Sequence, residues 1–183
     1  NTAYTPTEVA YFLGDAQPRL FVARPKTEDD LVDIARNTGA ALLTFDTDGA
    51  GSLADAMANA EAVEEIARTD ANDIASIIYT SGTTGDPKGV MQSHRSIVLQ
   101  TWATCTGDGH NVNSSESILL AVPMFHVNGW AIPFAAAMSG AKLVLPGPDL
   151  SAEALVRQIQ DEQITFSAGV PTIWLSVVQE LKD

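Results

Sequence analysis

One cysteine in 183 residues, Cys105, excludes an intrachain disulfide and gives no sign of an oxidising compartment. Three histidines and no cysteine pair fall short of the usual ligand set of a structural zinc site. Bases are scarce, with 10 Lys and Arg against 23 Asp and Glu. The resulting net charge of -13 argues against nucleic acid as a partner, because a phosphate backbone needs a basic surface. No run of about eighteen apolar residues exists, so no transmembrane segment is expected. No charged n-region followed by an apolar stretch opens the chain, so no signal peptide is read, and the expected localisation is cytoplasmic. Internal repeats and low-complexity tracts are also lacking.

What is present fits a globular chain: 45% apolar and 18% charged residues, long enough to bury a sizeable core in one domain or two small ones. The acid is uneven. Residues 1–73 carry fourteen carboxylates against five bases, and residues 74–183 carry nine against five. The chain is therefore read as an acidic βα part, 1–73, followed by a second part, 74–183. Along it, apolar stretches of strand type alternate with capped amphipathic stretches of helical period. "RLFVA", "AALLTF", "DIASIIYT", "GVMQSH", "SILLAVPMF", "AKLVLP" and "ITFSAGV" read as strands. "RLFVA" and "DIASII" are expected to be buried. "TPTEVAYFLGDAQP", "KTEDDLVDIARNTG", "RSIVLQTWATC", "NGWAIPFAAAMSG", "SAEALVRQIQDEQ" and "PTIWLSVVQELKD" read as helices, and "SLADAMANAEAVEEIA" as partly helical. The alternation predicts an α/β fold: a parallel sheet flanked by crossover helices. Cys105, near the end of one helix, reads as a small packed hydrophobe rather than a nucleophile.

"YTSGTTGDPKG", Tyr79 to Gly89, does not fit a core. Gly82, Gly85 and Gly89 let backbone N–H groups approach a ligand closely, and successive inward N–H groups form a nest suited to an anion. Thr80, Ser81, Thr83 and Thr84 add hydroxyls. Lys88 adds a mobile positive charge that reaches phosphate oxygens. A plain hairpin turn needs one or two glycines and neither the hydroxyls nor the lysine. The P-loop pattern G-x-x-x-x-G-K-[ST] fails, because Gly89 and a strand-like "VMQS" follow Lys88. G-x-G-x-x-G fails as well. The stretch reads as a polyphosphate cradle of a different kind.

"YTSGTTGDPKGV" resembles the phosphate-binding signature of the adenylate-forming, AMP-binding enzyme superfamily, which includes the acyl-CoA synthetases. "AVPMFHVNGW" and "AGVPTIW" resemble the family's later motifs, in the same order. The segment from about Gly89 is most similar to medium- and long-chain fatty acyl-CoA ligases, and "NTAYTPTEVAYFLGDAQPRL" to malonyl-CoA synthetase-like enzymes. The resemblance implies a two-step reaction: a carboxylate attacks the α-phosphorus of ATP to give an acyl-adenylate, and coenzyme A then takes the acyl group. It implies ATP contacts from Thr80, Ser81, Gly82, Thr83, Thr84, Gly85 and Lys88, with Thr80 touching Mg²⁺. It implies catalytic roles for Lys88 and His126. His126, Val127, Asn128, Gly129 and Trp130 line the pocket for a carboxylic acid, expected to be a medium- or long-chain fatty acid, with malonate or another small acid as the alternative. Trp174 and Ile173 read as core.

Family members carry further motifs, for adenine, ribose, Mg²⁺ and a catalytic lysine, that this sequence does not contain. The chain is therefore expected to hold part of the large N-terminal domain and to have little ligase activity alone. The competing readings are a nucleotide-binding module without chemistry and a scaffold that assembles as a homo-oligomer through exposed apolar faces.

Overall fold

The structure, a computed structural model, describes residues 2–80 and 85–182, with the side chains of Val127 and Asn128 excepted. The chain divides into two compact units, Asn1–Thr69 and Asp70–Asp183.

In the first unit, helix α1 (Pro6–Ala16) begins at a reciprocal cap. The Thr5 hydroxyl accepts from the Glu8 backbone N–H, and the Glu8 carboxylate accepts from the Thr5 N–H at 2.8 Å. Pro6, at the first helical position, has no N–H to leave unsatisfied. Strand β1 (Leu20–Ala23) leads through a 3₁₀ turn into α2 (Glu28–Thr38), whose first turn holds Glu28, Asp29 and Asp30, where the helix dipole favours acid. Strand β2 (Ala41–Thr44) pairs parallel with β1, Leu20 opposite Ala41. Leu13, Ala35 and Ala40 form the small core of this unit, with Val9, Phe21, Ile34 and Leu42 packed on it. Helix α3 (Ser52–Ala58) follows.

The second unit opens with strands β3 (Ile74–Thr80) and β4 (Lys88–Ser93), then α4 (His94–Cys105). Ser93 caps α4, its hydroxyl accepting from the Ser96 N–H at 3.1 Å. Backbone N–H groups of His94 and Arg95 donate to the carbonyls of Asp73 and Ala71, tying the start of β3 to the start of α4. Strand β5 (Ser117–Leu119) is central in a three-stranded parallel sheet of order β6-β5-β7, with β6 (Lys142–Val144) and β7 (Phe166–Ser167) beside it. Helices α5 (Val127–Trp130), α6 (Ile132–Ser139), α7 (Ala152–Asp161) and α8 (Pro171–Glu180) complete the unit.

The run Ile118–Leu119–Leu120–Ala121 explains the layering. Successive side chains of an extended chain point to opposite faces. Ile118 and Leu120 join Val112, Ile132, Ala135 and Ala136 on one face, while Leu119 and Ala121 join Leu155 and Val177 on the other. Both faces are covered, so the strand reads as a continuous apolar run rather than an alternating one. Cys105 packs on the first cluster, its Sγ 3.8 Å from the Ala135 carbonyl oxygen, as expected of a packed hydrophobe.

The α/β reading and two of the sheets are as the sequence predicts, and four details are corrected. β3 and β4 pair antiparallel, not parallel. β3 is not buried: Ile74 is 54% and Ile77 42% exposed, because β4 is the only strand beside it among the described residues. β1 likewise shows Leu20 and Val22 to solvent. The stretch 52–67, read as partly helical, is helical over Ser52–Ala58 as expected, whereas the single helix read across 128–139 breaks at Ala131 into α5 and α6.

Candidate functional site

The glycine-rich segment joins β3 to β4. Their ladder sets Ile77 opposite Met91, Ile78 opposite Val90, Tyr79 opposite Gly89 and Thr80 opposite Lys88. Thr80 and Lys88 thus face each other at the open end of the ladder, and both are exposed. Ser81, Gly82, Thr83 and Thr84 lie outside the described residues. Gly85 has φ +99°, a conformation that L side chains rarely adopt, and a Cβ built there would meet nothing within 4 Å. Glycine alone takes this backbone conformation without strain, and the space beside it is open.

Gly89 has a different part from the one its motif suggests. It lies within β4, and a Cβ there would stand 2.9 Å from Ile77 Cγ2 and 3.3 Å from Tyr79 Cζ. Gly89 makes room for the cross-strand Tyr79 ring; it belongs to the packing of the hairpin that carries the loop.

The second candidate group follows β5. After the buried Val122 the chain turns at Pro123. The His126 N–H donates to the Pro123 carbonyl at 2.9 Å, and the Gly129 and Trp130 N–H groups donate to the His126 carbonyl at 2.8 and 3.1 Å. His126 is therefore the residue from which α5 starts. Trp130 stands one turn after it, on the same side of the helix. The His126 side chain is exposed at the end of the central sheet segment, where α/β folds gather ligand groups. Trp130 is half-buried, its ring edge-on to Phe134 at 6.3 Å and 75°. Val127 and Asn128 are in α5 by their backbone alone. Gly129 is buried, and a Cβ there would stand 2.4 Å from the Pro123 carbonyl oxygen.

Beside this turn is a cavity of about 330 Å³ that the sequence did not reveal. Ala131 and Ile132, the two residues after Trp130, form one wall. Phe166 and Ala168, at the end of β7, form the second, and Gln100 and Thr104 on α4 the third, with His110 at its edge. The signals were present but scattered: Gln100 and Thr104 are one helical turn apart, and Phe166 and Ala168 share one face of an extended segment. Trp174 is half-buried in the second cluster, and its Nε1–H donates to the Gly169 carbonyl at 3.2 Å, in keeping with a core role. Among the described residues no group of three His, Cys, Asp or Glu could hold a metal ion. A Mg²⁺ here would need oxygens from the nucleotide and water, with the Thr80 hydroxyl as one further oxygen ligand.

Residues 1–183 match the family described as AMP-binding enzyme. The chain belongs to that family. Across its whole length this AMP-binding enzyme is 38% identical to a long-chain-fatty-acid–CoA ligase of Thermus thermophilus, of which it covers 34%. Over 105 residues, 57% of the chain, it is 53% identical to a 3-methylmercaptopropionyl-CoA ligase of Ruegeria lacuscaerulensis and covers 20% of that protein. Its fold overlays the ATP-bound crystal structure of MatB from Rhodopseudomonas palustris with a TM-score of 0.85 at 34% identity, covering 98% of this chain and 35% of that one. The chain thus spans about a third of the length of these relatives. No helix among its described residues is long and apolar enough to cross a membrane.

Proposed function

We propose that this AMP-binding enzyme chain carries the polyphosphate grip and the acyl pocket of an ATP-dependent acid–thiol ligase, which joins a carboxylic acid to coenzyme A through an acyl-adenylate. The observation that carries the reading is the pairing of Thr80 with Lys88 across the open end of the β3–β4 ladder. This register puts a hydroxyl and an ammonium group on the two sides of the glycine-rich segment, the arrangement that grips β- and γ-phosphates.

Attack of the carboxylate on the α-phosphorus breaks the bond to pyrophosphate and adds charge to the phosphate oxygens. Lys88, the residues 80–85 and their N–H groups counter that charge. Mg²⁺, when bound, would supply further neutralisation across the phosphates. His126, one helical turn from Trp130, lies beside the acyl carbonyl and helps shape the pocket for the carboxylate and the incoming thiol. The acyl chain occupies the cavity between α4, α6 and β7. Its volume of about 330 Å³ is at the low end of the range of about 300–1,000 Å³ for small-molecule sites. A short or medium acyl chain fits within these walls, and a longer one would extend beyond them.

Calorimetric titration of the chain with ATP and Mg²⁺ tests the grip. Lys88→Ala removes a charged hydrogen-bond donor worth about 1.5–3 kcal/mol, a loss of roughly 10- to 150-fold in affinity. Equal affinities for the wild type and Lys88→Ala would end the proposal.

A further inference from the structure

The cavity beside Trp130 is not apolar throughout, and one polar residue at its edge is fixed by the fold. The backbone of the turn after α4 folds back on the end of the helix: the N–H of His110 donates to the Thr104 carbonyl at 3.1 Å, and those of Gly109 and Asn111 donate to the Thr106 carbonyl at 3.0 Å. Gly109 lies so close to the helix that a Cβ there would stand 2.1 Å from the Ala103 carbonyl oxygen. This clamp presents the His110 ring to Phe166, with ring centroids 5.9 Å apart. Gln100 stands nearby on α4, its amide nitrogen 3.4 Å from the Thr104 hydroxyl, which itself donates to the Gln100 carbonyl at 2.9 Å. The two remaining walls, Ala131 with Ile132 and Phe166 with Ala168, are apolar.

Resting on the reading of this cavity as the acyl site, we infer that His110 is its specificity-determining residue. With the Gln100 carboxamide, His110 selects a short or medium acyl chain with a hydrogen-bonding atom near its far end over a saturated chain of equal size. His110 and Gln100 are exposed at the mouth of the cavity, so a methyl terminus seated there displaces the water on their cavity side and returns no hydrogen bond. A hydroxyl or comparable heteroatom at the same place restores the bond. Sites that bond a substrate polar atom discriminate against analogues lacking it for this reason. The apolar walls still hold the methylene run, so the preference falls on one atom of the ligand and not on its overall polarity.

The test is calorimetric titration of the chain with two carboxylates of equal heavy-atom count, 6-hydroxyhexanoate and heptanoate. The wild type should bind the hydroxy acid tighter by roughly fivefold, the worth of one ordinary hydrogen bond. His110→Phe, which keeps a ring against Phe166, should abolish or reverse that ratio, and His110→Gln should restore it. The His110 ring proton resonances should move on addition of the hydroxy acid. A wild type that binds both acids equally, or an unchanged ratio in His110→Phe, overturns the role of His110 and leaves the acyl reading standing. A wild type that binds neither acid overturns the acyl reading, and this inference with it.

Discussion

Gly129 lies within "HVNGW", and the motif alone suggests a residue kept small for the ligand. The structure gives another cause, and Gly129→Ala tests it. The added methyl would stand 2.4 Å from the Pro123 carbonyl oxygen and 3.0 Å from the Val122 carbonyl oxygen. Even a weak C–H···O contact leaves carbon and oxygen about 3.3–3.6 Å apart, so α5 must move outward by about 1 Å. It is held by three backbone bonds of 2.8–3.1 Å centred on His126 and Pro123. Overpacking of this kind costs about 1–3 kcal/mol. Weakening one of the three bonds adds about 0.5–1.5 kcal/mol. The expected loss is therefore about 1.5–4.5 kcal/mol, or a smaller loss with α5 displaced if the helix yields locally. Urea unfolding at constant m-value measures the first. Trp130 emission, in a background where Trp102 and Trp174 are Phe, measures the second. An alanine variant with wild-type midpoint and wild-type Trp130 emission would refute the packing argument and return Gly129 to the ligand.

Leu119 is fully buried in the central strand, and Leu119→Ala removes about three carbons, so unfolding should show a loss of about 2–5 kcal/mol; a loss under 1 kcal/mol would mean that the second cluster is not a working core. Gly89→Ala forces Ile77 and the half-buried Tyr79 ring aside, and the exposure of Ile77 lets that contact yield, so a net loss of about 1 kcal/mol is expected; a gain in stability would show that the ring does not need the space. Acid should also weaken the fold. The Thr5 backbone N–H and then its hydroxyl hold Glu8 below the usual carboxylate range, and the Ser151 backbone N–H does the same for Asp149. A depressed folded value means stability that is complete above the ordinary carboxylate range and lost as pH falls through the depressed values. The urea midpoint should be flat near neutrality and fall on acidification, with a shallower fall in Glu8→Gln; identical acid limbs would exclude the cap as a source.

Which parts could be read from the chain follows from what sets each part. The strand–helix alternation and the helix starts are local: Thr5 with Glu8, Ser93 with Ser96 and Pro171 carry their own chemistry within a turn. The parallel sheet was legible because strand and helix stretches alternate, and the unbroken apolar run of β5 is what a strand covered on both faces tolerates. The same rule misled for "DIASII", since composition reports what a strand tolerates and not which neighbours it has. The alanine-rich run, read as only partly helical, stops early for a related reason. Beyond Ala58 the helical tendency remains, but Val63 and Ile66 are 86% and 94% exposed, and without a face to pack a short helix is marginal in water. The cavity beside α5 and α6 was hidden because its walls come from segments up to about seventy residues apart, and no spacing rule joins Gln100 to Ala168.

The signature motifs therefore mix two kinds of constraint that a sequence writes in the same letters. Gly85 and Gly89 are four residues apart in one motif. One sits at positive φ with empty space where a side chain would go; the other sits in a ladder with a tyrosine ring across it. Only the first leaves open space beside the backbone. The second acts one step earlier, by letting Tyr79 close over β4 so that Thr80 and Lys88 stay in register at the mouth of the loop. The "HVNGW" turn repeats the division: His126 is exposed toward solvent, while Gly129, three residues on, is shut against the Pro123 carbonyl that anchors the turn. In both motifs the chemically competent side chain is held by a neighbour that lacks one. Substitutions at the two kinds of position should accordingly separate: loss of ligand affinity with the fold intact at Lys88, and loss of stability, with affinity falling only as far as the fold does, at Gly89 and Gly129.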